Sequence, residues 1–135
     1  MSKRPERGLL DTSVLIAQES GRQLHRERLP HEVAISIVTK AELRLGVLAA
    51  ADVETRDRRL VTLDSIAEMH VLPIWGAVER VWAGMRAYLA ASDRKVRVND
   101  LWIAATAAAY KMPVITQDRD FYALSGVNGL TVIEV

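Results

Sequence analysis

Acidic side chains stand where apolar segments give way to a turn or a helix start: Asp11 after Leu9-Leu10, Glu42 beyond VAISIV, and Asp100 at the head of an alanine-rich run. A fourth position follows PVIT, where Asp118 and Asp120 both qualify. In an open α/β sheet, strand ends and helix N-termini meet along one edge, so these acids converge. Unpaired carboxylates about 4 Å apart repel by roughly 4 kcal/mol at an effective dielectric near 20. A hard cation such as Mg²⁺ or Mn²⁺ relieves that repulsion, because it takes carboxylate oxygens and keeps several waters. Such a centre suits phosphodiester hydrolysis: it lowers the pKa of a bound water, orients it and stabilises the leaving oxygen. Each acid also has a structural role available. Asp11 can cap a helix, Thr39-x-x-Glu42 fits a capping box, and Asn99-Asp100 reads as an N-cap followed by an acid that favours the helix dipole.

Other chemistries lack their residues. Cysteine is absent, which removes disulfides, thiolate zinc sites and a thiol nucleophile. There is no GxxxxGK[ST] phosphate loop, and His25, His31 and His70 lack metal-ligand spacing. Asp11-Thr12-Ser13 lacks the second Asp of an aspartyl-phosphate DxD motif. A receiver-type domain would need paired acids after strand one and a lysine where Gln117 and Arg119 stand.

The elements that position the acids read as alternating strands and helices. Leu9-Leu10 ends a first strand, and a helix starts after the turn at residues 11–13. Residues 21–29 read as a modest amphipathic helix closed by Pro30, and residues 33–38 as strand two. A helical hairpin is expected over residues 39–51 and 52–69, the second helix with Val53, Leu60, Leu63, Ile66 and Ala67 on its apolar stripe. Residues 70–74 read as strand three and residues 75–91 as a long helix burying Val78, Val81, Trp82, Met85 and Leu89. After a polar loop at 92–98, Asn99 opens a helix to Lys111; strand four follows at 113–116, a helical turn at 121–124 and a last strand at 130–135. This alternation predicts an α/β fold, a parallel sheet with helices on both faces.

With 135 residues, half of them apolar, the chain fits one domain over 1–135 with a short charged N-terminal tail at 1–7. No segment reaches the roughly 20 apolar residues that span a bilayer, and no apolar h-region follows the tail, so no membrane association and a cytoplasmic setting are expected. A net charge of +1 neither supports nor forbids nucleic-acid binding. Basic residues cluster as Arg22/Arg26/Arg28, Arg56/Arg58/Arg59 and Arg94/Lys95/Arg97, where they can meet phosphates or solvent. Trp75, Trp82 and Trp102 sit at helical spacing with other apolar residues, which fits core or dimer packing better than base stacking.

LLDTSVLI around Asp11, SIVTKAELRLG around Glu42, VNDLWIAATA around Asp100 and VITQDRDF around Asp118 resemble, in order and spacing, the motifs of PIN domains. The likeness runs from Gly8 to Val135, and the length is similar to that of VapC-type toxins of bacterial toxin–antitoxin pairs. The resemblance implies a three-layer fold with a five-stranded parallel sheet, a homodimer, and Mg²⁺- or Mn²⁺-dependent endoribonuclease activity held in check by a VapB-like antitoxin. Carried over by position, Asp11 and Asp100 match the acids that bind metal most directly, and Glu42 the one that completes the site or orients the attacking water. Asp118 matches the fourth acid, with Asp120 as the alternative. Thr12 or Ser13 and Thr116 match hydroxyls that steady the first acid or a metal-bound water, and Asn99 stands beside them. The contrasting reading is a non-catalytic PIN-fold module that binds RNA or protein.

Overall fold

Neighbouring residues of a strand point to opposite faces of a sheet, and here both faces carry apolar side chains. Leu9, Ala34 and Val114 enter one core cluster, while Leu10, Ile35 and Ile115 enter the other. A sheet buried in this way on both faces is the parallel kind, whose crossovers lay helices over each side.

The computed structural model, which describes residues 4–135, has this arrangement. The chain runs through β1 (Arg7–Leu10), α1 (Thr12–Glu19), β2 (Glu32–Ser36), α2 (Ile37–Leu48), α3 (Val53–Ser65), β3 (His70–Leu72), α4 (Gly76–Ala91), α5 (Val98–Ala109), β4 (Val114–Thr116) and β5 (Val132–Glu134). Short 3-10 turns cover Arg26–Arg28, Arg119–Leu124 and Val127–Gly129. Five parallel strands are ordered β3-β2-β1-β4-β5. The predicted three-layer α/β fold is therefore the observed one. Val78, Met85 and Leu89 of α4 and Leu101, Ile103 and Ala104 of α5 fill one layer. Val14 and Leu15 of α1, Leu43 of α2 and Ile66 beyond α3 fill the other. Trp82 and Trp102 stack at 4.8 Å between ring centroids, pinning α4 to α5.

Several boundaries differ from expectation for physical reasons. Residues 21–29 form only the 3-10 turn, since Leu24 and Leu29 are too few and too far apart to anchor a helical face, and Gly21 turns the chain at φ +73°. Strand two stops at Ser36, whose hydroxyl accepts the Val38 N–H at 3.0 Å and starts α2 two residues before the expected capping box. Arg97, not Asn99, occupies the N-cap position of α5. Trp75 lies outside α4 and is more than half exposed. On α3 the buried residue is Thr62, while Val53 and Leu60 of the expected stripe face solvent. The charged N-terminal segment is tied down sooner than expected: the Pro5 and Glu6 carbonyls accept from His31 and Glu32 N–H groups at 3.0 and 2.9 Å, and Arg7 belongs to β1. The first three residues of that expected tail lie outside the described residues.

The strand order changes direction between β1 and β4, because the chain builds outward from β1 to β3 before crossing to β4. In open α/β sheets the crevice beyond the carboxyl ends of the strands at such a switch is where ligands bind. Asp11 follows β1 there and Thr116 ends β4.

Candidate active site

Asp11 leaves β1 in an extended conformation, accepts the Ser13 N–H at 3.3 Å and so caps α1. Its N–H is held by the Ile115 carbonyl at 2.8 Å, which locks the end of β1 to β4. Only 2% of the residue is exposed. The Thr116 hydroxyl donates to Asp11 Oδ2 at 2.9 Å and also accepts the Asp118 N–H at 2.9 Å. Ser13 Oγ lies 3.2 Å from the Thr116 hydroxyl and accepts the Gln117 N–H at 3.0 Å. Ser13 and Thr116 thus stitch the ends of two strands around one carboxylate.

Glu42 arrives from α2, one turn deeper into the helix than the sequence implies because α2 starts at Ile37. The Thr12 hydroxyl donates to Glu42 Oε1 at 2.7 Å and lies 3.0 Å from the buried Thr39 hydroxyl. Asp100, 5% exposed, lies in the first turn of α5. Asp118 caps the 3-10 turn at Arg119–Leu124, its Oδ1 accepting the Asp120 N–H at 2.9 Å.

Asp11, Glu42, Asp100 and Asp118 line a single pocket of about 320 Å³, together with Thr12, Ser13 and two arginines, Arg22 and Arg97. The two candidates for the fourth acid part company here. Asp118 faces this pocket, whereas Asp120 is exposed and lines the adjoining groove. Asn99 is exposed and lines a side recess with Glu42 and Asp100.

The carboxylates are not unpartnered, contrary to the picture of bare mutual repulsion. Arg97 Nε stands 3.3 Å from Asp100 Oδ2, and its Nη2 stands 3.7 Å from Asp118 Oδ2. One guanidinium bridges two acids. Sequence reasoning placed Arg97 only in a surface basic cluster, and its position three residues before Asp100 was the available signal, since that spacing sets two side chains on one helical face.

Burial and like charge act together on these groups. Burial raises the Asp100 pKa to about 6, with the Asp11 and Asp118 charges adding to the rise and Arg97 opposing it. Burial also raises the Asp11 pKa, opposed by the hydrogen bonds from Ser13 and Thr116. Asp100, and to a lesser degree Asp118 and Glu42, hold Arg97 firmly protonated. Cationic charge is thus favoured at this position.

The donor set is all hard oxygen, which fits Mg²⁺ or Mn²⁺ rather than zinc. Among the described residues no three His, Cys, Asp or Glu side chains close into a ready-made cage.

Comparison with known proteins follows the same line. The PIN domain family matches residues 8–127. Ribonuclease VapC5 of Mycobacterium tuberculosis is 55% identical over 135 residues, covering 100% of both chains. Ribonuclease VapC4 of the same organism is 40% identical over 126 residues, 93% of this chain and 97% of its own. The crystal structure of VapBC-5 from M. tuberculosis, a member of the VapBC family of toxin–antitoxin systems, superposes with a TM-score of 0.91 at 52% identity, covering 97% of this chain and 100% of that one.

Proposed function

Since this chain belongs to the PIN domain family as a VapC ribonuclease toxin of a VapBC toxin–antitoxin system, we propose that it cuts RNA with water at the pocket formed by Asp11, Glu42, Asp100 and Asp118. The observation that carries the proposal is the meeting of these acids, drawn from four separate segments, in one concavity beyond the carboxyl ends of β1 and β4.

Asp11, Asp100 and Asp118 are the residues that would hold Mg²⁺ or Mn²⁺, with Glu42 completing the set. When bound, the metal supplies an acidified water and charge compensation for the leaving oxygen. Thr116 and Ser13 keep Asp11 aimed into the pocket. Thr12 holds one oxygen of Glu42 at 2.7 Å and leaves the other free to orient an attacking water. Arg97, mostly exposed, offers a guanidinium to an incoming phosphate. Asn99 borders the same approach.

The α2–α3 hairpin presents Leu45, Leu48, Val53 and Val61 to solvent, each more than 60% exposed. Apolar side chains in that number are the surface on which a VapB-like antitoxin and a second copy of the chain would dock. Among the described residues no helix is long and apolar enough to cross a membrane, and a cytoplasmic setting is the one in which the proposed chemistry would meet cellular RNA.

Incubating the purified chain with single-stranded RNA in Mg²⁺ or Mn²⁺ tests the proposal. Cleavage is expected, and it should vanish in Asp11→Ala, in Asp100→Asn and in excess EDTA. Undiminished cutting by either variant would overturn the assignment. A monomer at micromolar concentration in a sizing experiment would remove the dimer.

A further inference from the structure

Beside the acidic pocket lies a second concavity of about 370 Å³, lined by Arg94, Lys95, Arg119, Asp120, Tyr122 and Ala123. Two segments already tied to the active site form it. The loop after α4 carries Arg94 and Lys95 and runs on to Arg97, while the 3-10 turn carries Arg119 and Tyr122 directly after Asp118. Moving three residues along the loop, or one along the turn, therefore passes from a basic surface to an acidic one.

The loop is held in shape. Asp93 takes φ +54° after the last turn of α4, and the Arg94 N–H returns to the Leu89 carbonyl at 3.1 Å. This is the helix-ending turn that a left-handed residue permits, and aspartate is one of the few side chains that adopts it readily. The backbone is thereby held at Arg94, and neither Arg94 nor Lys95 forms an ion pair among the described residues. Arg119 Nε lies 3.4 Å from Glu134 Oε2 but keeps its side chain 83% exposed. Three cations and one carboxylate, Asp120, line the groove. Tyr122, 44% exposed, is the aromatic face among them.

We propose that this groove takes the single-stranded RNA flanking the cleaved bond, with Arg94, Lys95 and Arg119 meeting successive phosphates and Tyr122 stacking on one unpaired base. The inference rests on the ribonuclease reading and adds a strand path to it. Charge supplies affinity without sequence preference, and a ring that stacks on an unpaired base favours a single strand over a duplex. A net charge of +1 for the chain conceals this local polarity.

The test uses the full chain carrying Asp100→Asn, so that binding of fluorescent single-stranded RNA is read without cutting. Against that parent, Arg94→Ala with Lys95→Ala should lower the slope of log K against log salt by about 1.4, at roughly 0.7 per lost phosphate contact. Tyr122→Ala should weaken binding about tenfold with the slope unchanged, and Tyr122→Phe should restore it. Parent-like affinity and slope in the double variant, a Tyr122→Phe no better than Tyr122→Ala, or no RNA binding by the parent in low salt would overturn the groove assignment. Cleavage by the unmodified chain is scored separately. If it cuts RNA while the groove substitutions leave binding unchanged in the Asp100→Asn parent and cutting unchanged in the otherwise unmodified chain, only the groove falls; if it fails to cut while the parent binds through the groove, only the nuclease reading falls.

Discussion

The Thr116 hydroxyl donates to Asp11 Oδ2 across 2.9 Å, joining the ends of β4 and β1 through side chains that are 105 residues apart in sequence. Asp11 is almost wholly buried, so that donor partly offsets the cost of keeping a carboxylate out of water. Thr116→Val keeps the shape and removes the donor. Urea melts are expected to show a loss of roughly 1.5–3 kcal/mol, the usual worth of a hydrogen bond to a charged group, and Thr116→Ser should recover most of it.

Asp100 should make the metal-free protein less stable at neutral pH than its amide would. Its folded pKa, raised to about 6, means that the folded state binds the proton more tightly than the unfolded state does. Stability contributed by that proton is present below the ordinary carboxylate range and is lost as pH rises through about 6. Asp100→Asn is therefore expected to melt a few degrees higher than wild type at pH 7 in EDTA, with the gap closing toward pH 4. Calorimetry across that range checks the sign; a variant less stable than wild type at pH 7 would count against the carboxylate cluster.

Arg97 holds a place that a metal would otherwise compensate electrostatically, between Asp100 and Asp118. With one cation removed, a second should bind more readily. Arg97→Gln is expected to tighten Mn²⁺ binding by about five- to tenfold in a paramagnetic titration, an effect on the order of 1 kcal/mol for a solvent-screened charge near the site. Unchanged Mn²⁺ affinity would show that the guanidinium and the metal do not compete.

Gly8 has no room for a side chain. A Cβ there would lie 2.8 Å from Ile115 Cγ1 and 3.0 Å from Pro30 Cγ, inside the packing between β1 and its neighbours. Gly8→Ala is expected to cost about 1–3 kcal/mol in denaturant unfolding, the usual penalty for overpacking a dense core. Metal affinity, measured at a temperature where the variant is folded, should change little.

The acids were legible because each follows an apolar run whose end is visible in sequence, and a parallel sheet carries such ends to one edge. Ile115 and Leu10 declare their strand; Asp11 and Asp118 inherit the location. Arg97 was legible only in part: its spacing of three residues from Asp100 is visible in sequence, whereas its approach to Asp118 is set by tertiary structure. The start of α2 was misplaced because Ile37 and Val38 are β-branched and favour a strand, yet the Ser36 cap and packing of the following turns override that preference. Residues 21–29 failed for the opposite reason: their pattern admits a helix, but its apolar side is too small to hold one against the core. The choice between Asp118 and Asp120 needed the capping geometry of the 3-10 turn, which points one acid inward and leaves the other outside.

The earliest strand of the chain lies at the centre of the sheet, and one of its two neighbours is β4, near the far end of the sequence. While a nascent chain still lacks β4, Asp11 has no Thr116 to hold it and Asp118 does not yet exist. A chain wired this way closes its acidic pocket only after β4 and the turn beyond it have been made, so the pocket is among the last parts of the molecule to be completed in synthesis.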